Sequence, residues 1–120
     1  MNKKVLIVED YDDARSFMKT LVESCGYEVL EASSGEEAIS IARRESLNLI
    51  LMDLEMPDMD GLTTTQIIRE FEKSEPVPVI AVTAYGIDDA AAAAAGCNDL
   101  IFKPVEIHEI ELVLDKYLIE

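Results

Sequence analysis

Runs of apolar residues alternate with amphipathic stretches along the whole chain, and the alternation repeats five times. Val5-Leu6-Ile7-Val8 is an unbroken apolar run rich in β-branched residues and predicts a strand. After it, Ala14, Phe17, Met18, Leu21, Val22 and Cys25 recur at helical spacing until Gly26 closes the segment. Tyr27-Glu28-Val29-Leu30 reads as a short second strand. Ser34 then caps a helix carrying Ala38, Ile39, Ile41 and Ala42, and Glu37 completes a capping box. Leu49-Ile50-Leu51-Met52 is the third strand, and Gly61 leads into a helix bearing Leu62, Ile67, Ile68 and Phe71. Val77 to Val82 is the fourth strand, with Pro76 and Pro78 confined to its start. Asp88 to Ala95 predicts a short helix stopped by Gly96. Leu100-Ile101-Phe102 is the last strand and Val105 to Leu118 the last helix, with Ile107, Ile110, Leu114 and Tyr117 on one face.

Strands that read as continuous apolar runs are buried on both faces, which indicates a parallel sheet covered by helices on each side. The predicted fold is α/β: a doubly wound, five-stranded parallel (βα)5 sheet in a single domain spanning residues 1–120. No internal repeat or linker interrupts it, and the only low-complexity stretch is Ala90 to Ala95.

Charge narrows the function. Ten Lys and Arg against 25 Asp and Glu leave a net charge of −15. Such a surface opposes nucleic acid and anionic membranes, and favours cations and basic protein partners. No apolar run approaches the roughly 20 residues of a membrane span, and the apolar run at the start is too short for a signal peptide. Cys25 and Cys97 stand far apart without a CxxC pattern. They read as small core fillers in a reduced, cytoplasmic protein.

In an open parallel sheet, functional groups collect just beyond the carboxyl ends of the strands. The first run ends in Glu9-Asp10, the third in Asp53, the fourth in Thr83 and the fifth in Lys103-Pro104. The second ends in the less distinctive Glu31-Ala32-Ser33. Taken singly, each has an ordinary explanation: an acid after a strand caps a turn, and a lysine there is solvated. Taken together, they put three carboxylates, a hydroxyl and an ammonium at one edge. Two carboxylates about 5 Å apart repel by about 3 kcal/mol at an effective dielectric near 20. A hard divalent cation, Mg²⁺ above all, relieves such a cluster. A carboxylate beside Mg²⁺ and a lysine is also equipped to accept a phosphoryl group.

These residues carry a resemblance. Val8-Glu9-Asp10, the stretch from Leu51-Met52-Asp53 through Met56-Pro57 to Asp60-Gly61, Val82-Thr83-Ala84 and Phe102-Lys103-Pro104 resemble the receiver domain of two-component response regulators. The resemblance covers essentially the whole chain and implies the flavodoxin-like strand order 2-1-3-4-5. It implies Asp53 as phosphoacceptor. It also implies Mg²⁺ held by Glu9, Asp10, Asp53 and the backbone carbonyl of Glu55, with Glu9 acting largely through water. Thr83 and the Ala84 amide would bind phosphoryl oxygens, Lys103 would pair with Asp53 or the phosphate, and Lys103-Pro104 would be cis. The implied partners are a sensor histidine kinase or histidine phosphotransfer protein and a downstream protein target. Glu55 and Tyr85 stand where relatives gate water access to the phosphoryl group.

The chain departs from that pattern in two places. Leu100 stands where many relatives carry a Tyr or Phe that changes rotamer on phosphorylation. The segment from Thr83 to Gly96 is about two residues short, and its alanine helix is expected to be thinly packed and mobile. Two other classes use similar parts. A haloacid-dehalogenase-type aspartyl-phosphate hydrolase needs an acid/base Asp two residues past the nucleophile, where Glu55 stands. A flavodoxin-like cofactor binder needs a phosphate loop where Glu9 to Asp13 would repel an anion. His108 reads as a surface or capping residue on the last helix, and Met52, Met56 and Met59 as packing.

Overall fold

The computed structural model describes residues 2–72, 75–84 and 89–119. Strands and helices alternate as β1 (Lys4–Val8), α1 (Asp12–Ser24), β2 (Glu28–Ala32), α2 (Gly35–Arg44) and β3 (Leu49–Asp53). They continue as α3 (Gly61–Phe71), β4 (Val79–Thr83), α4 (Asp89–Ala95), β5 (Asp99–Phe102) and α5 (Ile107–Leu118). All pairings are parallel and the order is β2-β1-β3-β4-β5, as expected. No helix among the described residues is long and apolar enough to cross a membrane.

The three central strands are apolar from Val5 to Val8, Leu49 to Met52 and Val79 to Val82 because both their faces are covered, and polar residues stand only at their ends. Val5, Ile7, Leu49, Leu51, Ile80 and Val82 pack with Met18 and Val22 of α1 and with Ile110, Val113, Leu114 and Leu118 of α5. Leu6, Val8, Ile50, Met52, Val79 and Ala81 face the other way, onto Ala38 and Ile41 of α2 and Ile68 of α3. A one-residue slip in any central strand would exchange these two sets, so the helices on both sides hold the register. Cys25 and Cys97 are free, half-buried residues at the margins of the two cores, which fits their reading as fillers. Met52 and Met56 are buried in the second core, as packing residues.

The element ends differ from the pattern for identifiable reasons. β2 runs on through Glu31 and Ala32 rather than stopping at Leu30. It is an edge strand, and Arg15 and Lys19 of α1 lie 3.2 and 3.4 Å from the Glu31 carboxylate, so a charge is accommodated there. β4 starts at Val79 rather than Val77. The Val77 amide and carbonyl are taken by Glu72 and Arg69, at 2.8 and 2.7 Å. α5 starts at Ile107, because Glu106 is its extended N-cap and forms a capping box with Glu109. Ile107 is 43% exposed and Phe17 is 52% exposed, so neither joins the core face on which its spacing placed it. Ser34 caps α2 as expected, accepting from the Glu37 amide at 3.1 Å. The Glu37 carboxylate in return accepts from the Ser33 amide, at 2.8 Å.

α4 begins at Asp89; Asp88 and Tyr85 lie outside the described residues. Its face is made of Ala92 and Ala95, both buried. Its end is held more firmly than an alanine run suggests. Arg69 of α3 donates to the Gly96 carbonyl at 3.1 and 2.7 Å and to Asn98 Oδ1 at 3.0 Å. Asn98 Oδ1 also accepts from the Val79 amide at 2.9 Å, so one node ties α3, β4 and the turn into β5.

Gly61 opens α3 where the helix passes against the end of β3. A Cβ there would lie 2.3 Å from the Asp53 carbonyl oxygen and 2.9 Å from Leu54 Cα, both backbone atoms that cannot swing aside. Gly26 is different: its φ is +95°, and a Cβ would meet nothing within 4 Å. Gly26→Ala therefore carries only conformational strain, about 1–2 kcal/mol. Gly61→Ala carries a backbone clash instead and is expected to cost more, about 3 kcal/mol. Urea midpoints of the two variants test the order; equal losses would show that the α3–β3 approach is not tight.

Candidate functional site

Four strands deliver the chemistry to one edge. β1 hands on to Glu9 and Asp10, β3 ends on Asp53, β4 ends on Thr83, and β5 ends one residue before Lys103. Val8 pairs with Met52, Asp53 with Val82, and Thr83 with Phe102, so the strand ends lie side by side. The edge includes the boundary between β1 and β3, where the connections diverge to opposite faces and open sheets bind their ligands.

Glu9 and Asp53 are each only 1% exposed, whereas Asp10 is open to solvent. One oxygen from each of the three lies within 4.8 Å of the others. Lys103 Nζ sits 3.0 Å from Asp53 Oδ1 and 3.4 Å from Glu9 Oε1. Asp53 Oδ1 also accepts from the Glu55 amide at 3.1 Å, and Glu9 Oε2 from the Tyr11 amide at 3.1 Å. Asp53 Oδ2 and Glu9 Oε1 remain buried without a hydrogen bond. The Lys103–Pro104 bond is cis.

One ammonium cannot balance this cluster. Burial pushes the Asp53 carboxyl up to about 7, and the Glu9 carboxylate adds to the rise while Lys103 opposes it. Burial also works against the Lys103 charge, but Asp53 and Glu9 outweigh it and hold the ammonium above its ordinary value. Two buried oxygens without a hydrogen bond, an exposed third carboxylate and surplus negative charge suit a hard, oxygen-seeking divalent cation. The structure thus brings Glu9, Asp10, Asp53 and Lys103 together as the sequence implied.

Thr83 is fully buried, and its hydroxyl donates to Glu55 Oε1 at 2.6 Å. The Ala84 amide donates to the same oxygen at 2.7 Å. Burial disfavours the charged Glu55 carboxylate, yet these bonds, with the Lys103 charge nearby, hold it below the usual range. The sequence pointed to the Glu55 carbonyl as a metal ligand and to residue 55 as a gate for water, but not to this bond between its side chain and the end of β4. The bond spans 28 residues and exists because β3 and β4 are neighbours, so no local signal marks it. Leu100 is half-buried against the second core, and His108 is exposed on α5, away from the cluster.

The response regulator receiver domain family matches residues 5–115. The chain belongs to that family. It is 36% identical to the polar-differentiation response regulator DivK of Brucella ovis, over 98% of each chain. Its structure superposes on the Vibrio cholerae chemotaxis protein CheY4 with a TM-score of 0.91 at 25% identity, covering 98% of this chain and 100% of that one. The receiver domain of the sensor histidine kinase PA1611 from Pseudomonas aeruginosa, solved with magnesium in its active-site cleft, gives a TM-score of 0.88 at 31% identity and 98% coverage of both. The Saccharomyces cerevisiae Ssk1 receiver, solved with the histidine phosphotransfer protein Ypd1, gives 0.89 at 29% identity, covering 97% of this chain and 88% of that one. This receiver domain is thus a signalling protein of a two-component system, and nothing in the comparisons supports the hydrolase alternative.

The raised Asp53 carboxyl makes stability depend on pH. Its value is about 7 in the fold and near 3.8 in the unfolded chain, so the fold holds the proton more tightly. Stability from this group is full below about pH 4 and is lost as pH rises through about 7. Asp53→Asn removes that loss. Without divalent cations, the variant's advantage over wild type should be small near pH 4.5 and grow to the order of 1–3 kcal/mol by pH 8. Denaturation midpoints across that range measure it; a difference independent of pH would contradict a strained Asp53.

Proposed function

We propose that Asp53 is the phosphoacceptor of this signalling domain and that the 120 residues act as one receiver unit. The observation that carries the reading is a buried carboxylate at the end of an apolar strand with the Lys103 ammonium 3.0 Å away. The phosphoryl group comes from the phosphohistidine of a sensor histidine kinase or histidine phosphotransfer protein; the pairing of the Ssk1 receiver with Ypd1 supports a partner of this kind. Such a donor, charged from ATP, places the domain in the cytoplasm. The net charge of −15 favours a protein target over direct contact with nucleic acid or membrane.

Asp53 attacks the phosphorus in line. The phosphorus–nitrogen bond breaks with its electron pair on the imidazole, which takes a proton from water. Lys103 orients the attacking carboxylate and presents positive charge to the transferred oxygens. The carboxylates of Glu9, Asp10 and Asp53, with the Glu55 carbonyl, would hold Mg²⁺. The bound ion would supply the positive charge that Lys103 alone cannot. The magnesium in the PA1611 receiver and the buried oxygens without a hydrogen bond here support that choice of ion. After transfer, the Thr83 hydroxyl and Ala84 amide bind phosphoryl oxygens, and water later hydrolyses the acyl phosphate, so the domain also removes its own phosphoryl group.

Incubation with acetyl phosphate and Mg²⁺ is expected to add one phosphoryl group by intact mass, and Asp53→Asn to add none. Wild-type labelling in that variant would overturn the assignment. Mg²⁺ at about 100 times its dissociation constant should stabilise the wild type by about 2.7 kcal/mol and Asp10→Asn much less. Equal stabilisation of both would remove Asp10 from the metal site.

A further inference from the structure

Glu55 lies in the loop after β3 as an exposed residue, yet one of its oxygens is held by two short bonds. Glu55 Oε1 accepts from Thr83 Oγ1 at 2.6 Å and from Ala84 N at 2.7 Å, lengths typical of bonds to a charged acceptor. The amide of the same residue donates to Asp53 Oδ1 at 3.1 Å. Glu55 therefore links the buried acceptor carboxylate to the donor pair at the end of β4. The Thr83 hydroxyl has one proton to give, so it serves one anionic oxygen at a time.

We propose that the Glu55 carboxylate is an internal occupant of the Thr83–Ala84 donor pair, displaced when a phosphoryl group forms on Asp53. This rests on Asp53 being the acceptor. While the occupant is in place, the two donors are not available to oxygens gaining charge during transfer. Loading then proceeds from the fraction of molecules in which Glu55 has swung out. The phosphoryl group brings about two negative charges to the same place, so it both competes for the donors and repels the carboxylate. Its arrival drives Glu55 away from the end of β4. That displacement reports phosphorylation at the surface without an aromatic ring at residue 100, where this chain has Leu100.

The substitution series separates occupancy from charge. Glu55→Asp keeps the charge but is one methylene too short to reach both donors. Glu55→Gln loses the charge but keeps an acceptor oxygen at the same reach. The reaction read is transfer from acetyl phosphate: an Asp53 oxygen bonds to phosphorus, and the bond from phosphorus to the acetate oxygen breaks. Acetate leaves with the electron pair, and no proton is required. With Mg²⁺ present, Glu55→Asp and Glu55→Ala are expected to load roughly tenfold faster than wild type, the factor for a pair vacant about one time in ten. Glu55→Gln is expected to stay nearer wild type. A charge effect alone gives the opposite order, with Glu55→Asp slow and Glu55→Gln fast, and would overturn the proposal.

The Ala84 amide resonance adds a readout that altered packing would not mimic. It should move upfield in unphosphorylated Glu55→Asp and coincide with wild type once beryllofluoride and Mg²⁺ fill the site. An Ala84 amide insensitive to Glu55→Asp would also overturn the proposal. If wild type itself takes up no phosphoryl group, the reading of Asp53 fails and this proposal with it. If wild type loads and the variants match its rate, only the role of Glu55 fails.

Discussion

The Lys103 ammonium between Asp53 and Glu9 is the contact on which the site turns. Two carboxylates are carried into a nearly water-free edge by strands that are apolar on both faces, and a single cation meets them there. Burying a charge without full pairing is costly. The fold tolerates it here because the same strands build both cores, and their packing offsets a local penalty. A carboxylate short of partners binds a cation more readily than one already satisfied by hydrogen bonds.

The strain is distributed unevenly. Asp53 Oδ1 has Lys103 and the Glu55 amide, while Oδ2 has neither. On the neighbouring strand the situation is reversed, for the Thr83 and Ala84 donors are fully occupied by Glu55. The edge therefore holds an excess of negative charge on one side and a satisfied donor pair on the other. The phosphoryl group proposed for Asp53 would redistribute both. Farther down the sheet, the Arg69 node fastens the end of α4 to α3 and β5.

Most of the fold was legible because its strands are dry on both faces. Val5–Val8, Leu49–Met52 and Val79–Val82 have no polar position to confuse the pattern. Where one face meets solvent, the pattern was weaker. Glu31 hid two residues of β2, and Phe17 and Ile107 had helical spacing but lie outside the core. Spacing identifies a periodic face, while the neighbouring elements decide how wide a stripe is covered.

By itself the sequence determined the five alternations, the parallel sheet, and the placing of Glu9, Asp10, Asp53, Thr83 and Lys103 at strand ends. Each of these follows from local runs a few residues long. Only the tertiary structure decided which of those charges are buried, that two carboxylate oxygens lack a hydrogen bond, and that Glu55 reaches across to β4. Burial and missing hydrogen bonds depend on what packs on top, and the Glu55 bond depends on β4 lying beside β3 in register. Residues 28 positions apart carry no mutual signal along the chain; the sheet makes them neighbours.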